Sequence, residues 1–125
     1  MIYGIGIDII EIARIARLLS QFPQRFPTRI CSPRELDYIG ADVAKLAGRF
    51  AAKEAVMKAM GTGWTGGVAF REIEIIPGLR GEPEVHLSGR TGAVAQGLGI
   101  AQVLISISHG REAAIAQAVA LRGVN

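Results

Sequence analysis

Residues Leu46 to Gly63 read LAGRFAAKEAVMKAMGTG. Ala, Leu, Met, Lys and Glu dominate, no proline interrupts, and Gly61 stands where a left-handed residue ends a last turn, so the spacing predicts a helix with an abrupt stop. At roughly 100° per residue, Leu46, Phe50, Met57 and Met60 share one arc, a core face, and Ala51, Ala52, Ala55 and Ala59 form a small-residue back. Lys53 projects into the same arc, where a cation must meet an anion or snorkel to water. Arg49 and Lys53 lie one turn apart, as do Glu54 and Lys58. By themselves these charges describe a solvated flank with an ion pair. The exit Gly61-Thr62-Gly63-Trp64-Thr65-Gly66-Gly67 argues for more, because a loop poor in side chains lets a ligand reach the backbone. These glycines follow a helix, so they are not a phosphate loop presenting N-terminal amides. An anion here has to be held by Lys53, Lys58, Arg49 or a metal.

Upstream, Met1 to Asp8 has the composition of a buried strand, with Gly4 and Gly6 marking close packing. Asp8 is expected at a strand-to-helix junction, where an acid is an ordinary cap. Ile12, Ile15 and Leu19 then fall on one helical face, with Arg14 and Arg17 on another side and Arg25 and Arg29 in the loop beyond. Phe22 to Pro27 reads as irregular. Ser32-Pro33-Arg34-Glu35 supplies a cap, an N1 proline and a capping-box acid for a short helix. Downstream, Arg71 to Ile76 and Glu84 to Leu87 alternate and make a hairpin about Pro77–Pro83, with His86 outward beside Glu84. Ser88 is expected to cap a short helix ending near Gly99. Ala101 to His109 places Val103, Ile105 and Ile107 on one face and Leu104, Ser106 and Ser108 on the other. In Ala114 to Leu121 the alanines share one face, against which the central helix can pack closely.

With 125 residues, half hydrophobic and a fifth charged, the chain suits one cored domain spanning 1–125. The single Cys31 excludes an intrachain disulfide framework and a multi-cysteine zinc site. No apolar run reaches membrane length, and the start has neither a basic n-region nor a cleavage site, so a cytoplasmic protein is expected. A charge of +3 suits an anionic partner without a basic block, and with 6% aromatic residues a base-stacking platform is hard to build; nucleic acid is not favoured. Asp8 and Glu54 are the acids placed at a junction or beside cations. Two carboxylates with open positions are what Mg²⁺ accepts when substrate phosphates complete its shell. Lys53, Lys58 and Arg49 would neutralise the remaining phosphate oxygens. The residues by themselves leave a phosphate-handling enzyme, a nucleotide-binding module and a phosphohydrolase open.

Three blocks narrow this: Gly4-Ile5-Gly6-Ile7-Asp8 running on to Ile15, then Arg49 to Gly63, then Ser106-Ile107-Ser108-His109. Together, in this order, they resemble the holo-(acyl-carrier-protein) synthase family, the small 4'-phosphopantetheinyl transferases. The resemblance implies an α+β fold, a small mostly antiparallel sheet on a long central helix. It also implies transfer of the phosphopantetheine arm of coenzyme A to a serine of apo acyl carrier protein, with Mg²⁺ required, and a homotrimer with active sites between neighbouring subunits. Matched position by position, Asp8 and Glu54 are metal ligands, and Lys58 contacts coenzyme A phosphates and aids the leaving group. Arg49, Lys53, Gly61 and Gly63 line the nucleotide site, and Pro83, Ser108 and His109 are supplied by the adjacent subunit. Arg14 pairs with the acidic carrier, Arg17, Arg25 and Arg29 extend that docking stripe, and Glu54 is the candidate general base.

Overall fold

The isoleucine-rich N-terminus forms strand β1 (Ile2–Glu11) in a computed structural model that describes residues 1–123. There follow helices α1 (Ile12–Gln21), α2 (Arg25–Ile30), α3 (Pro33–Ile39) and α4 (Val43–Met60), and a 3₁₀ turn at Phe70–Glu72. Strands β2 (Ile73–Pro77) and β3 (Pro83–Leu87), helix α5 (Gly89–Gly97) and strands β4 (Ile100–His109) and β5 (Ala113–Arg122) complete the chain. The strands are antiparallel throughout, in two pieces: a sheet of order β1-β5-β4 and a separate β2-β3 hairpin. This is the α+β arrangement the sequence leads one to expect. No helix among the described residues is long and apolar enough to cross a membrane.

Helix α4 lies across β1 and β5, and small residues are the reason it can. Ala114, Ala116, Ala118 and Ala120 are each no more than 1% exposed, against helix residues Ala51, Ala52 and Ala55 at 0%. On β1 the approach is closer still: a Cβ added at Gly6 would sit 2.8 Å from Ala59 N and 2.9 Å from Lys58 Cβ. The helix starts on Asp42, whose carboxylate accepts from Lys45 N at 3.1 Å, and stops at Gly61 with φ 77°. The capping box of α3 is formed as read, Ser32 Oγ accepting from Glu35 N at 3.3 Å and Glu35 Oε1 from Ser32 N at 3.0 Å.

Four expectations need correction. Asp8 lies inside β1 and Glu11 occupies the cap position of α1, so Asp8 is no helix cap. The segment expected to be irregular holds the start of α2, with Pro27 in its first turn, where a missing N–H costs little; Arg25 and Arg29 therefore sit on a helix. Ser88 makes no side-chain cap for α5. Glu72 does that work, accepting from Thr91 N at 3.0 Å, Thr91 Oγ1 at 2.8 Å and Arg90 N at 3.3 Å, and these bonds hold its carboxyl below the usual range. Finally, β1 is buried on one face only. Ile5, Ile7 and Ile9 are 65%, 56% and 65% exposed, because α4 covers the sheet from one side.

Candidate active site

Side chains two apart on a strand share a face, so Gly4, Gly6 and Asp8 all look toward α4. The glycines bring the helix against the strand, and Asp8 is the next residue on that face to carry a side chain. It meets α4 at Lys58, whose Nζ donates to Asp8 Oδ1 at 3.1 Å and to Ile7 O at 2.9 Å. Lys58 is half exposed, at 52% of its side chain against 15% for Asp8. An ammonium has three donors, so one remains for a ligand. Glu54, one turn back, belongs to the same group: burial raises its pKa, the Asp8 charge raises it further, and Lys58 and Arg14 pull it down. Two carboxylates and a lysine from elements nearly fifty residues apart thus converge, with exposed Arg14 beside them. A cavity of about 210 Å³ lined by Ile7, Asp8, Ile9, Lys58 and Ile115 opens next to Asp8.

The donor set fits a hard divalent cation. No cluster of three or more His, Cys, Asp or Glu exists among the described residues, so the chain by itself builds no closed metal cage. Two neighbouring carboxylates with room beside them are what Mg²⁺ takes when substrate oxygens supply the rest.

Lys53 does not belong to this centre, which corrects its assignment to the nucleotide site. It is 0% exposed, and its Nζ is saturated by Glu35 Oε1 at 2.7 Å, Ile30 O at 2.7 Å and Phe70 O at 3.1 Å. Glu35 also accepts from Ile75 N at 3.0 Å, so one buried ion pair ties α2, α3, α4 and β2 together. The thiol of Cys31 is buried in the same region and pushed up to about 11, chiefly by burial, which makes it a poor nucleophile.

Arg49 turns to a second cleft on the same chain. It lines about 210 Å³ with Tyr38, Lys45, Gly81, Pro83, Ile107 and His109, sharing no residue with the Asp8 cavity. Arg49 is 8% exposed, and its Nε is the buried side-chain nitrogen without a hydrogen-bond partner among the described residues. An unpaired buried guanidinium edge beside Pro83 and His109 is suited to an anion. Ser108 is not in this cleft. Strand alternation turns it to the open sheet face, where it lines a small cavity with Ile7, Ser106 and Gln117. Gly61 and Gly63, at φ 77° and 54°, shape the loop after α4 and line neither cleft. Arg17, Arg25 and Arg29 are exposed on α1 and α2. Sequence reasoning missed Tyr38, Lys45 and the pairing of Glu35 with Lys53. Lys45 could have been found, one turn before Arg49, whereas Tyr38 reaches the cleft from α3 with no local signal.

Comparison with known proteins identifies the family of the chain. A family model of the 4'-phosphopantetheinyl transferase superfamily matches residues 4–117. A holo-(acyl-carrier-protein) synthase of Nitratidesulfovibrio vulgaris is 47% identical over 118 residues, 93% of this chain and 95% of that protein. Among solved structures, the synthase of Neisseria meningitidis superposes with a TM-score of 0.90 at 42% identity, covering 98% of this chain and all of the other, 100%. The Helicobacter pylori synthase in complex with coenzyme A gives a TM-score of 0.86 at 34% identity, over 94% of this chain and 99% of its own.

Proposed function

Because this chain belongs to the 4'-phosphopantetheinyl transferase superfamily, we propose that it moves the phosphopantetheine arm of coenzyme A onto a serine of apo acyl carrier protein, a step that serves fatty acid (lipid) biosynthesis. The products are holo carrier and adenosine 3',5'-bisphosphate. The observation that carries the reading is the meeting of Asp8, Glu54 and Lys58 at one exposed point on the β1–α4 contact.

In this account Asp8 and Glu54 hold Mg²⁺, which when bound neutralises the pyrophosphate and polarises its oxygens. Every other step belongs to the chain's own groups. The serine oxygen forms a bond to the β-phosphorus while the bond from that phosphorus to the bridging oxygen breaks. Lys58, fixed by Asp8 and the Ile7 carbonyl, turns its free N–H toward the departing oxygen and stabilises the charge there. Glu54 takes the serine proton. Arg49, Pro83 and His109 bind the nucleotide end of coenzyme A, with the open Arg49 Nε as an anion contact. Gly61 and Gly63 give the nucleotide a loop it can approach closely. Arg14 beside Glu54, with Arg17, Arg25 and Arg29, draws the acidic carrier to the site, an attraction that salt weakens.

We read residues 1–125 as one transferase domain, working as a homotrimer. What supports the assembly is the open sheet face, where Ile5, Ile7, Ile9, Leu104 and Ile115 are 39% to 65% exposed. An apolar area of that kind marks an interaction surface. The separate clefts, one with Asp8 and Lys58 and one with Arg49 and His109, are then halves of a site completed by a neighbouring copy, to which Ser108 on the open face would also contribute. The buried, unpaired Cys31 supports a reducing, cytoplasmic setting.

The test is to incubate purified protein with apo carrier, coenzyme A and Mg²⁺ and to weigh the carrier. A gain of one phosphopantetheine, absent with Asp8→Asn and with Glu54→Gln, is expected. No gain with the unaltered protein, or undiminished gain with both variants, would overturn the proposal.

A further inference from the structure

We propose that Arg90, in the first turn of α5, is a positioning residue for coenzyme A: its side chain clasps the glycine loop that follows α4 and holds it in the shape that receives the ligand. The inference rests on the reading that this loop faces coenzyme A. Gly61, Gly63, Gly66 and Gly67 all have φ between 54° and 84°. Glycine enters that region freely and loses the most entropy when fixed there, so a loop built this way keeps one shape only if other elements hold it. Its first half is tied to the helix it leaves, the N–H groups of Gly61, Thr62 and Gly63 donating to Lys58 O and Met57 O. Its second half is tied to α5. Arg90 Nε donates to Gly66 O at 3.0 Å, and a Cβ added at Gly67 would run into Arg90 Cδ and Nε, so the side chain lies flat over Gly67. Just past the loop, the Ala69 N–H donates to Thr91 Oγ1 at 2.9 Å.

The clasp works from a fixed base. Glu72 accepts from the backbone N–H groups of Arg90 and Thr91, and Thr91 itself is 0% exposed. The Arg90 guanidinium has no carboxylate within 4.0 Å among the described residues, so its bond to Gly66 O is not a by-product of an ion pair. Removing that bond lets the second half of the loop populate other shapes, and the apparent affinity for a ligand falls with the fraction that stays competent. Trp64 stands midway along the loop, 65% exposed, with its ring edge-on to Phe70 at 4.7 Å between centroids. It is the single tryptophan of the chain, so its fluorescence reports the order of this loop alone.

The test compares the unaltered protein with Arg90→Met and Arg90→Gln, each checked by thermal melting. Methionine keeps the length of the side chain and removes the donor. Glutamine carries an N–H as many bonds from Cα as the arginine Nε, without the charge. By calorimetry with coenzyme A and Mg²⁺, and no carrier present, Arg90→Met is expected to weaken binding about fivefold, the loss of one hydrogen bond, and Arg90→Gln to stay close to the unaltered protein. In transfer to apo carrier the loss should appear in KM for coenzyme A with kcat held. Without ligand, the fluorescence anisotropy of Trp64 should fall in Arg90→Met and return when coenzyme A saturates the protein. Unchanged affinity or unchanged anisotropy in Arg90→Met would overturn the clasp. So would equal weakening in both variants, because the charge rather than the Nε–H would then be what matters. An unaltered protein that binds no coenzyme A, with anisotropy still falling in Arg90→Met, would instead count against the coenzyme A reading.

Discussion

Changing Gly6 to Ala should damage stability and chemistry together, because one close contact carries both. The added methyl would sit 2.8 Å from Ala59 N and 2.9 Å from Lys58 Cβ, and closer again to Ala55 O. These contacts fall short of ordinary van der Waals distance by about half an ångström or more, and two of the three atoms met are helix backbone that cannot rotate away. Relief therefore requires α4 to lift from β1. Overpacking of this kind costs about 3 kcal/mol, the upper end of the usual range because rigid groups are involved. For a chain of this length that lowers Tm by roughly 10 °C. The lift also separates Asp8 on β1 from Glu54 and Lys58 on α4, and a misplacement near 1 Å at reacting groups costs about 100-fold in rate. Denaturant unfolding and carrier mass gain read the two effects. Gly97→Ala is the control: a Cβ there meets nothing within 4 Å, so stability should hold or rise slightly. Unchanged stability and unchanged transfer in Gly6→Ala would refute the idea that glycine contact sets the site.

Three further outcomes follow from the same structure. Glu54 has a raised pKa, so the folded state binds a proton at higher pH than the unfolded one, and stability rises as pH falls toward the ordinary value of 4.5. In metal-free buffer Glu54→Gln should thus be more stable than the unaltered protein at neutral pH and lose that part of the pH slope, while transferring nothing; a less stable variant in a denaturant titration at pH 7 would contradict this. Lys53→Met leaves Glu35 buried without its partner and should cost about 3 to 5 kcal/mol, whereas a fully stable variant with weakened coenzyme A binding would restore Lys53 to the nucleotide site. Ile5→Lys puts a charge on the open sheet face and should convert the proposed trimer to single chains on sedimentation with loss of transfer; an unchanged assembly would place the interface elsewhere.

Much of this was legible in sequence because the signals were local. Gly61 as a helix stop, the Ser32–Glu35 capping box and the single-faced alanines of β5 each depend on residues a few positions apart, and all stand as read. The convergence of Asp8 with Glu54 and Lys58 was legible through the family resemblance, since nothing in the spacing of positions 8 and 54 requires it. What failed depended on distant partners. Lys53 was recognised as a cation on a core face needing an anion, but Glu35, already explained as a capping acid, gave no sign of serving it as well. The isoleucines of β1 look like core residues, and one face of them stays open because α4 covers the sheet from one side only. Ser108 and His109 are adjacent in sequence and opposite in space, a consequence of strand alternation that a motif conceals.

The most direct measurement is a calorimetric titration of Mg²⁺ into the protein saturated with coenzyme A, with no carrier present, so that the donor stays intact. The account predicts one ion taken up per chain, abolished by Asp8→Asn and by Glu54→Gln alike. Uptake that survives either change would mean that these two carboxylates do not share the ion, and the centre described here would not be the site of transfer.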